Sequence, residues 1–347
     1  MSNKAAMKEF ICEDPKEMYD FLRTSSGLLS SDYPDLLPYP FTKEMLTLLK
    51  NSNPFKQKYY YIEQENKYAF FIVYESRMNI MTLGKSEWMM KVKTIGFPCS
   101  LSNGGYVTND LDFLLSYCRK LKGGILILNV ENPVTKKGFG FGETLPSCVL
   151  KLREEHTDID AYLHSLRSPY RRRMNLAVNK CRQLGITVSR YCGEEKKNAP
   201  DFYSLYLNTF NKSEYKLECL EKQFFDECEG CAQVFEKDGN PVGFTLLYED
   251  GDKLIFEFCG MEYENFEDNA DLYFYMLLHI VEYAIEKGLH TIDFGQTSEL
   301  TKLKFGALLE KRYFYAHHTN PFLNLFAILG KGLLEYHYSF PDFNVFR

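Results

Sequence analysis

Hydrophobic and polar positions along the chain follow one sequence of patterns in the first half and repeat it in the second. Lys58-Tyr59-Tyr60-Tyr61-Ile62-Glu63 and Lys67-Tyr68-Ala69-Phe70-Phe71-Ile72-Val73-Tyr74 are runs of β-formers on either side of the polar Gln64-Glu65-Asn66, which predicts an antiparallel hairpin. A further strand is expected over Trp88 to Ile95, then a loop through Asn103, Gly104, Gly105 and Tyr106, and an amphipathic helix over Asp110 to Lys120. After Gly123-Gly124 the run Ile125-Leu126-Ile127-Leu128-Asn129-Val130 is continuously apolar, the pattern of a strand buried on both faces.

In the second half, Cys231 to Lys237 and Pro241 to Tyr248 flank the turn Asp238-Gly239-Asn240, and a second turn leads into Lys253 to Gly260. Three antiparallel strands follow from these signals. From Ala270 to Lys287 the apolar positions Leu272, Met276, Ile280 and Ala284 recur at helical spacing, with Gly288 as the stop. His290 to Gly295 is the next strand. Between the halves, Ser168-Pro169 opens and Gly185 closes a well-punctuated helix carrying Arg171, Arg172 and Arg173. The expected architecture is α+β: two tandem domains, residues 1–150 and 151–347, each a mixed, mostly antiparallel sheet flanked by helices, joined through the basic helix 168–185.

Composition agrees with a folded protein. The 347 residues suit roughly two domains, and 45% hydrophobic with 25% charged residues exclude disorder and fibrous repeats. The best apolar run, Phe322 to Leu334, is interrupted by Lys331 and followed by Glu335, so no membrane span is predicted. The first nine residues lack the apolar core of a signal peptide, and a cytoplasmic location is the expectation. The ten cysteines are irregularly spaced and read as reduced thiols, and Cys228-Glu229-Gly230-Cys231 lacks the partners of a zinc site. A net charge of −6 disfavours nonspecific nucleic-acid binding but leaves room for a local basic patch. His317 and His318 cannot share one side of a strand, so they form no two-His metal site. Gly138 to Gly142 opens no recognisable helix and reads as a flexible loop. Phosphate-loop, nucleophile-elbow and zinc-helix motifs are absent from the sequence.

Three segments carry a family resemblance. Tyr170-Arg171-Arg172-Arg173 with the Lys180 to Gly185 helix end, Gly288 to Gly295 ending in Asp293-Phe294-Gly295, and Lys302-Leu303-Lys304-Phe305-Gly306 together resemble the Fem-type, tandem-domain branch of the Gcn5-related N-acetyltransferase (GNAT) superfamily. The resemblance covers about residues 150 to 320 and, more faintly, the first half. It implies two GNAT-like domains, the second holding the chemistry and the first degenerate or concerned with the acceptor. It also implies an acyl-CoA donor held by the backbone of a splayed strand, here Lys253 to Gly260 with Phe258, Cys259 and Gly260 at its end, and by the start of the next helix at Asn269 and Ala270. The chain departs from the family there: the glycine-rich phosphate cradle is missing, and residues 262–271 contain five acids and no Lys or Arg.

The candidate chemical groups are few. Glu257 is flanked by Phe256 and Phe258 and, on a regular strand, points opposite to both; it reads either as a general base with a raised pKa or as a Glu on an open sheet face. Asp293 ends a buried strand and either faces a ligand or caps the turn at Gly295. Lys302 stands where the superfamily often has a Tyr, as an electrostatic helper or as an exposed helix residue. Tyr313 is a candidate acid or a packing residue. The Arg171 to Arg173 cluster is a solvated face or a phosphate or RNA contact. These readings describe an acyltransferase acting on a small-molecule or peptide amine from an acyl-CoA donor, without metal. The alternatives are aminoacyl transfer from tRNA and a non-catalytic ligand-binding module on the same fold.

Overall fold

The computed structural model describes residues 6–25, 37–79, 89–99, 101–213, 218–263 and 269–347. The sheet is mixed and helix-flanked, as an α+β chain requires. Two compact units divide it, 1–146 with 311–338 and 147–310 with 339–347. Each unit is thus built from two separate stretches of chain.

The first unit begins with β1 (Lys8–Cys12), β2 (Gln57–Gln64), β3 (Lys67–Asn79), β4 (Met89–Ile95), β5 (Tyr106–Thr108) and β6 (Gly124–Val130). The β2–β3 hairpin forms as its pattern demands, with Glu65 at φ 57° in the turn. Of the expected strand from Trp88, residue 88 lies outside the described residues. Asp110 caps the helix Leu111–Cys118 by accepting from the Phe113 N–H at 2.9 Å. That helix connects β4 to β6, which pair in parallel from Val92 opposite Gly124 to Ile95 opposite Ile127. Ile95, Ile125 and Ile127 are buried there with Phe113, Leu114 and Leu115, so the parallel pair is dry and apolar. Asn103 and Tyr106 belong to this unit, Tyr106 pairing opposite Phe71 in β3.

The chain enters the second unit along β7 (Gly140–Lys151), so of the glycine-rich stretch residues 140–142 begin a strand, while 138 and 139 lie in the turn before it. Gly140 has no room for a side chain, because a Cβ would sit 2.0 Å from the Ala327 carbonyl oxygen. The second unit holds β8 (Thr187–Cys192), β9 (Cys231–Lys237), β10 (Asn240–Asp250), β11 (Lys253–Met261) and β12 (Thr291–Asp293). Their order is β7-β12-β11-β10-β9-β8, antiparallel except for the parallel β11–β12 pair. Helix Asn269–Glu286 buries Leu277, Ile280, Val281 and Ala284 in a core shared with Met174 and Ala177 of helix Ser168–Gln183. Burial of these apolar side chains stabilises the unit by roughly 25 cal/mol per Å² of apolar surface removed from water.

The chain returns to the first unit along β13 (Leu308–His318), where Tyr313 to His318 pair with β6. Residues 339–347 complete the second unit. Val345 enters its core, the Arg167 N–H donates to the Val345 carbonyl, and Leu166 bridges to Phe346. The expectation of reduced thiols fails at one pair: Cys192 and Cys231, directly opposite on β8 and β9, form a disulfide. Cross-strand neighbours lie within reach of such a bond. Among the described residues no helix is long and apolar enough to cross a membrane.

Candidate active site

The site is built around an irregularity in β11. Phe258 pairs opposite Leu246 and Phe256 opposite Leu247, so Glu257 is an extra residue without an opposite partner, a β-bulge. Phe256 therefore packs into the core under helix Asn269–Glu286. Phe258 instead meets the rings of Phe224, Phe225 and Tyr206 at centroid distances of 5.4, 5.6 and 6.1 Å. This corrects the regular-strand expectation, under which both phenylalanines share a face and Glu257 opposes them. The Glu257 side chain is 6% exposed, and burial pushes its carboxyl up to about 8.

Beyond Ile255, β11 loses its parallel neighbour. The β11–β12 register contains only Lys253 opposite Thr291, Leu254 opposite Ile292 and Ile255 opposite Asp293, although β11 continues to Met261. The two strands part where the bulge lies. Asp293 closes the end of β12: it is buried, accepts from the Ser147 hydroxyl at 2.5 Å and the Gly295 N–H at 2.9 Å, and pairs with Lys253 at 3.3 Å. The turn-capping alternative describes these contacts.

The loop after Asp293 stores backbone strain. Gly295, Thr297 and Ser298 all have positive φ (69°, 62° and 53°), which costs the two non-glycine residues on the order of 1 kcal/mol each. Lys302, from the following helix Glu299–Leu303, folds back beneath this loop and donates to the Gly295 and Gln296 carbonyls at 3.2 and 2.7 Å. At 2% exposure it is no solvated helix residue. Burial lowers its pKa, opposed by the fields of Cys148, Cys259, Asp293 and Glu299. Cys259 is the reciprocal case: burial pushes its thiol up to about 11 while Lys302 pulls it down.

The remaining candidates divide by what they touch. Phe258 is packed among rings. Gly260 is a close-approach glycine, since a Cβ there would lie 2.4 Å from the main-chain carbon of Leu205. Asn269 and Ala270 open their helix, but their side chains lie outside the described residues, as do residues 264–268 of the acidic run. Next in that helix, Asp271 pairs with Arg173 at 2.5 Å and Lys180 at 3.0 Å, and the Arg173 guanidinium stacks 3.9 Å over Phe274. Folding thus brings two cations to a helix start that the linear sequence leaves purely acidic, and it commits Arg173 to an intramolecular pair. Arg171 donates to the His164 carbonyl at 3.5 Å and Arg172 is exposed. Tyr313 belongs to the first unit and stacks on Phe141 at 5.3 Å. His317 donates from Nδ1 to the Gly138 carbonyl at 2.8 Å, and no metal-binding cluster occurs among the described residues. Ser147 and Cys148 escaped the sequence reading because only the β7–β12 pairing brings them to Asp293 and Lys302.

Residues 168–304 match the family model described as an acetyltransferase (GNAT) domain. No curated protein matches the chain in sequence. Similar solved structures include FemX, 15% identical over 92% of this chain and 100% of that chain with a TM-score of 0.49. A tandem GNAT protein from the clavulanic acid biosynthesis pathway is 10% identical over 91% and 99%, with a TM-score of 0.49. The C-terminal domain of a lysylphosphatidylglycerol synthetase from Agrobacterium fabrum is 11% identical over 74% and 82%, with a TM-score of 0.47. The bulged β11, its parting from β12 and the crossing helix Asn269–Glu286 all lie inside the matched segment, so the stretch that is similar to a GNAT acetyltransferase domain is the one that holds these features.

Proposed function

We propose that the second unit transfers an acyl group from a coenzyme A thioester to an amine acceptor, with Glu257 as the proton acceptor. One observation carries the reading: the bulge sets a buried carboxyl into β11 at the point where β11 and β12 separate. A base near neutrality suits removal of a proton from an attacking ammonium. The backbone edge of residues 256–260, no longer paired to β12, fits the amide-bearing arm of the donor. Arg173 and Lys180 relieve the charge conflict at the first turn of helix Asn269–Glu286. When bound, the thioester supplies an activated acyl carbon and a good leaving group. Lys302 is a positioning residue that braces the strained loop 295–298 beside that edge, and Asp293 fixes the loop's beginning.

A second donor, aminoacyl-tRNA, is favoured by a separate feature. A pocket of about 310 Å³ is lined by Arg153, Arg167, Arg347, Phe343 and Phe346 among others, and arginines with aromatic rings suit phosphates and bases. Calorimetric titration with acetyl-CoA and free CoA at two salt concentrations separates the readings. Micromolar binding of both supports the coenzyme A donor. Absence of that binding, with tRNA binding that falls steeply with salt, supports the second. If neither binds, the non-catalytic alternative replaces both.

A further inference from the structure

Away from the site, the connection between β8 and β9 holds a lysine and a cysteine in close opposition. Lys196 lies in the short turn of helix Gly193–Asn198 and is 8% exposed, a rare condition for lysine. Its Nζ donates to the Phe225 carbonyl at 2.9 Å and to the Cys228 carbonyl, and lies 2.9 Å from the Cys228 Sγ. Cys228, at the end of helix Lys222–Glu227, is also buried. A separation of 2.9 Å is ordinary for N–H···O, and sulfur is much the larger atom, so this pair is pressed closer than a hydrogen bond to a thiol requires. The two carbonyls pin the amine against the sulfur.

We propose that Lys196 and Cys228 are an oxidative modification site, joined by hydrogen peroxide into a covalent N–O–S bridge. The stoichiometry, counted from the neutral amine and thiol, is two peroxides consumed and three waters released. One peroxide converts the thiol to a sulfenic acid and leaves a water. The second converts the adjacent amine to a hydroxylamine and leaves another. Condensation of the two hydroxyl groups forms the O–S bond, expels the third water and retains one oxygen between Nζ and Sγ. Four electrons pass to peroxide, two from sulfur and two from nitrogen. Two equivalents of a dithiol reverse the change, returning amine, thiol and one water.

Access and consequence both follow from position. A pocket of about 250 Å³ is lined by Gly193, by the Cys192–Cys231 disulfide and by Glu229 and Gly230, the two residues that follow Cys228 in the chain; a small oxidant held there is close in sequence to the thiol. Burial holds the Cys228 thiol up and the Lys196 charge opposes that shift, so the amine also eases ionisation of the sulfur. The bridge ties the turn 193–198 to helix Lys222–Glu227, whose Phe224 and Phe225 pack on Phe258 beside the bulge. The modification stands independently of the acyl-transfer reading.

Peroxide treatment of the full chain, followed by tryptic peptide mass spectrometry without reductant, tests the site. The peptides carrying Lys196 and Cys228 are already linked through Cys192–Cys231. The expected product is that linked pair with one oxygen gained and two hydrogens lost, no tryptic cut after Lys196, and restoration of the cut by dithiothreitol. Cys228→Ser and Lys196→Arg, which keeps the charge without the primary amine, each abolish the product. Two or three oxygens on Cys228 with Lys196 still cleaved would overturn the proposal, as would loss of two hydrogens without oxygen, or a Cys228 that remains alkylatable after treatment.

Discussion

Both units contain a parallel strand pair bridged by a helix, and they finish it differently. In the first, β4 stops at Ile95, the last residue paired to β6, and its surroundings are apolar. In the second, β11 runs six residues past its last pairing with β12 and carries a bulged, buried Glu257 there. Buried charge gathers in the same place, with Asp293, Glu299 and Lys302 all below a tenth exposed. Buried ionisable groups cost stability unless paired. Holding these three beside an unpaired strand edge and a strained loop costs the second unit stability at that point.

The sharpest way to break this contrast is at Glu257. If it is the proton acceptor, Glu257→Gln lowers the acyl-transfer rate by roughly 10²- to 10⁴-fold while far-ultraviolet circular dichroism stays unchanged; a variant that keeps its rate removes Glu257 from the chemistry. The wild-type rate rises with pH up to about 8, where the carboxyl loses its proton. Stability has the opposite slope. The folded carboxyl binds its proton more tightly than the unfolded one, whose pKa is near 4.5, so between that value and about 8 the native state loses stability as pH rises. The Gln variant lacks that slope in urea unfolding.

A smaller effect is expected at Gly260, which shapes the strand without chemistry. Gly260→Ala drives a methyl into the Leu205 main chain and costs about 1–3 kcal/mol by urea unfolding; an unchanged midpoint means that helix Tyr203–Lys212 is free to shift. The smallest concerns the helix start. Arg173→Ala removes a partly exposed ion pair and a ring contact, lowering stability by about 1 kcal/mol. Because Asp271 then keeps only Lys180, coenzyme A binding in calorimetry should weaken as well.

Much of this was legible in the chain because it is local. The hairpins, the helix stop at Gly288 and the strand ending at Asp293 are written in turn residues and periodicity. The α+β class follows from their order. The bulge was not legible: Phe256-Glu257-Phe258 obeys strict alternation, and only the register against Leu246 and Leu247 reveals the inserted residue. Nor was the burial of Lys302, whose short helix reads as exposed until the loop carbonyls of Gly295 and Gln296 claim its ammonium. Long-range pairings such as Ser147 with Asp293 and Cys192 with Cys231 leave no mark in spacing, since they are decided by which strands become neighbours.

The split composition of the second unit bears on how it can be made. Its core takes Val345 from a stretch separated from the rest by residues 311–338. During synthesis from the N-terminus, the second unit therefore waits with an open seam until residues 339–347 leave the ribosome, whereas most domains close as soon as their own segment emerges. An excised version made by a single cut would inherit that open seam permanently. Joining 147–310 to 339–347 through an artificial connection would instead give the unit as one uninterrupted chain.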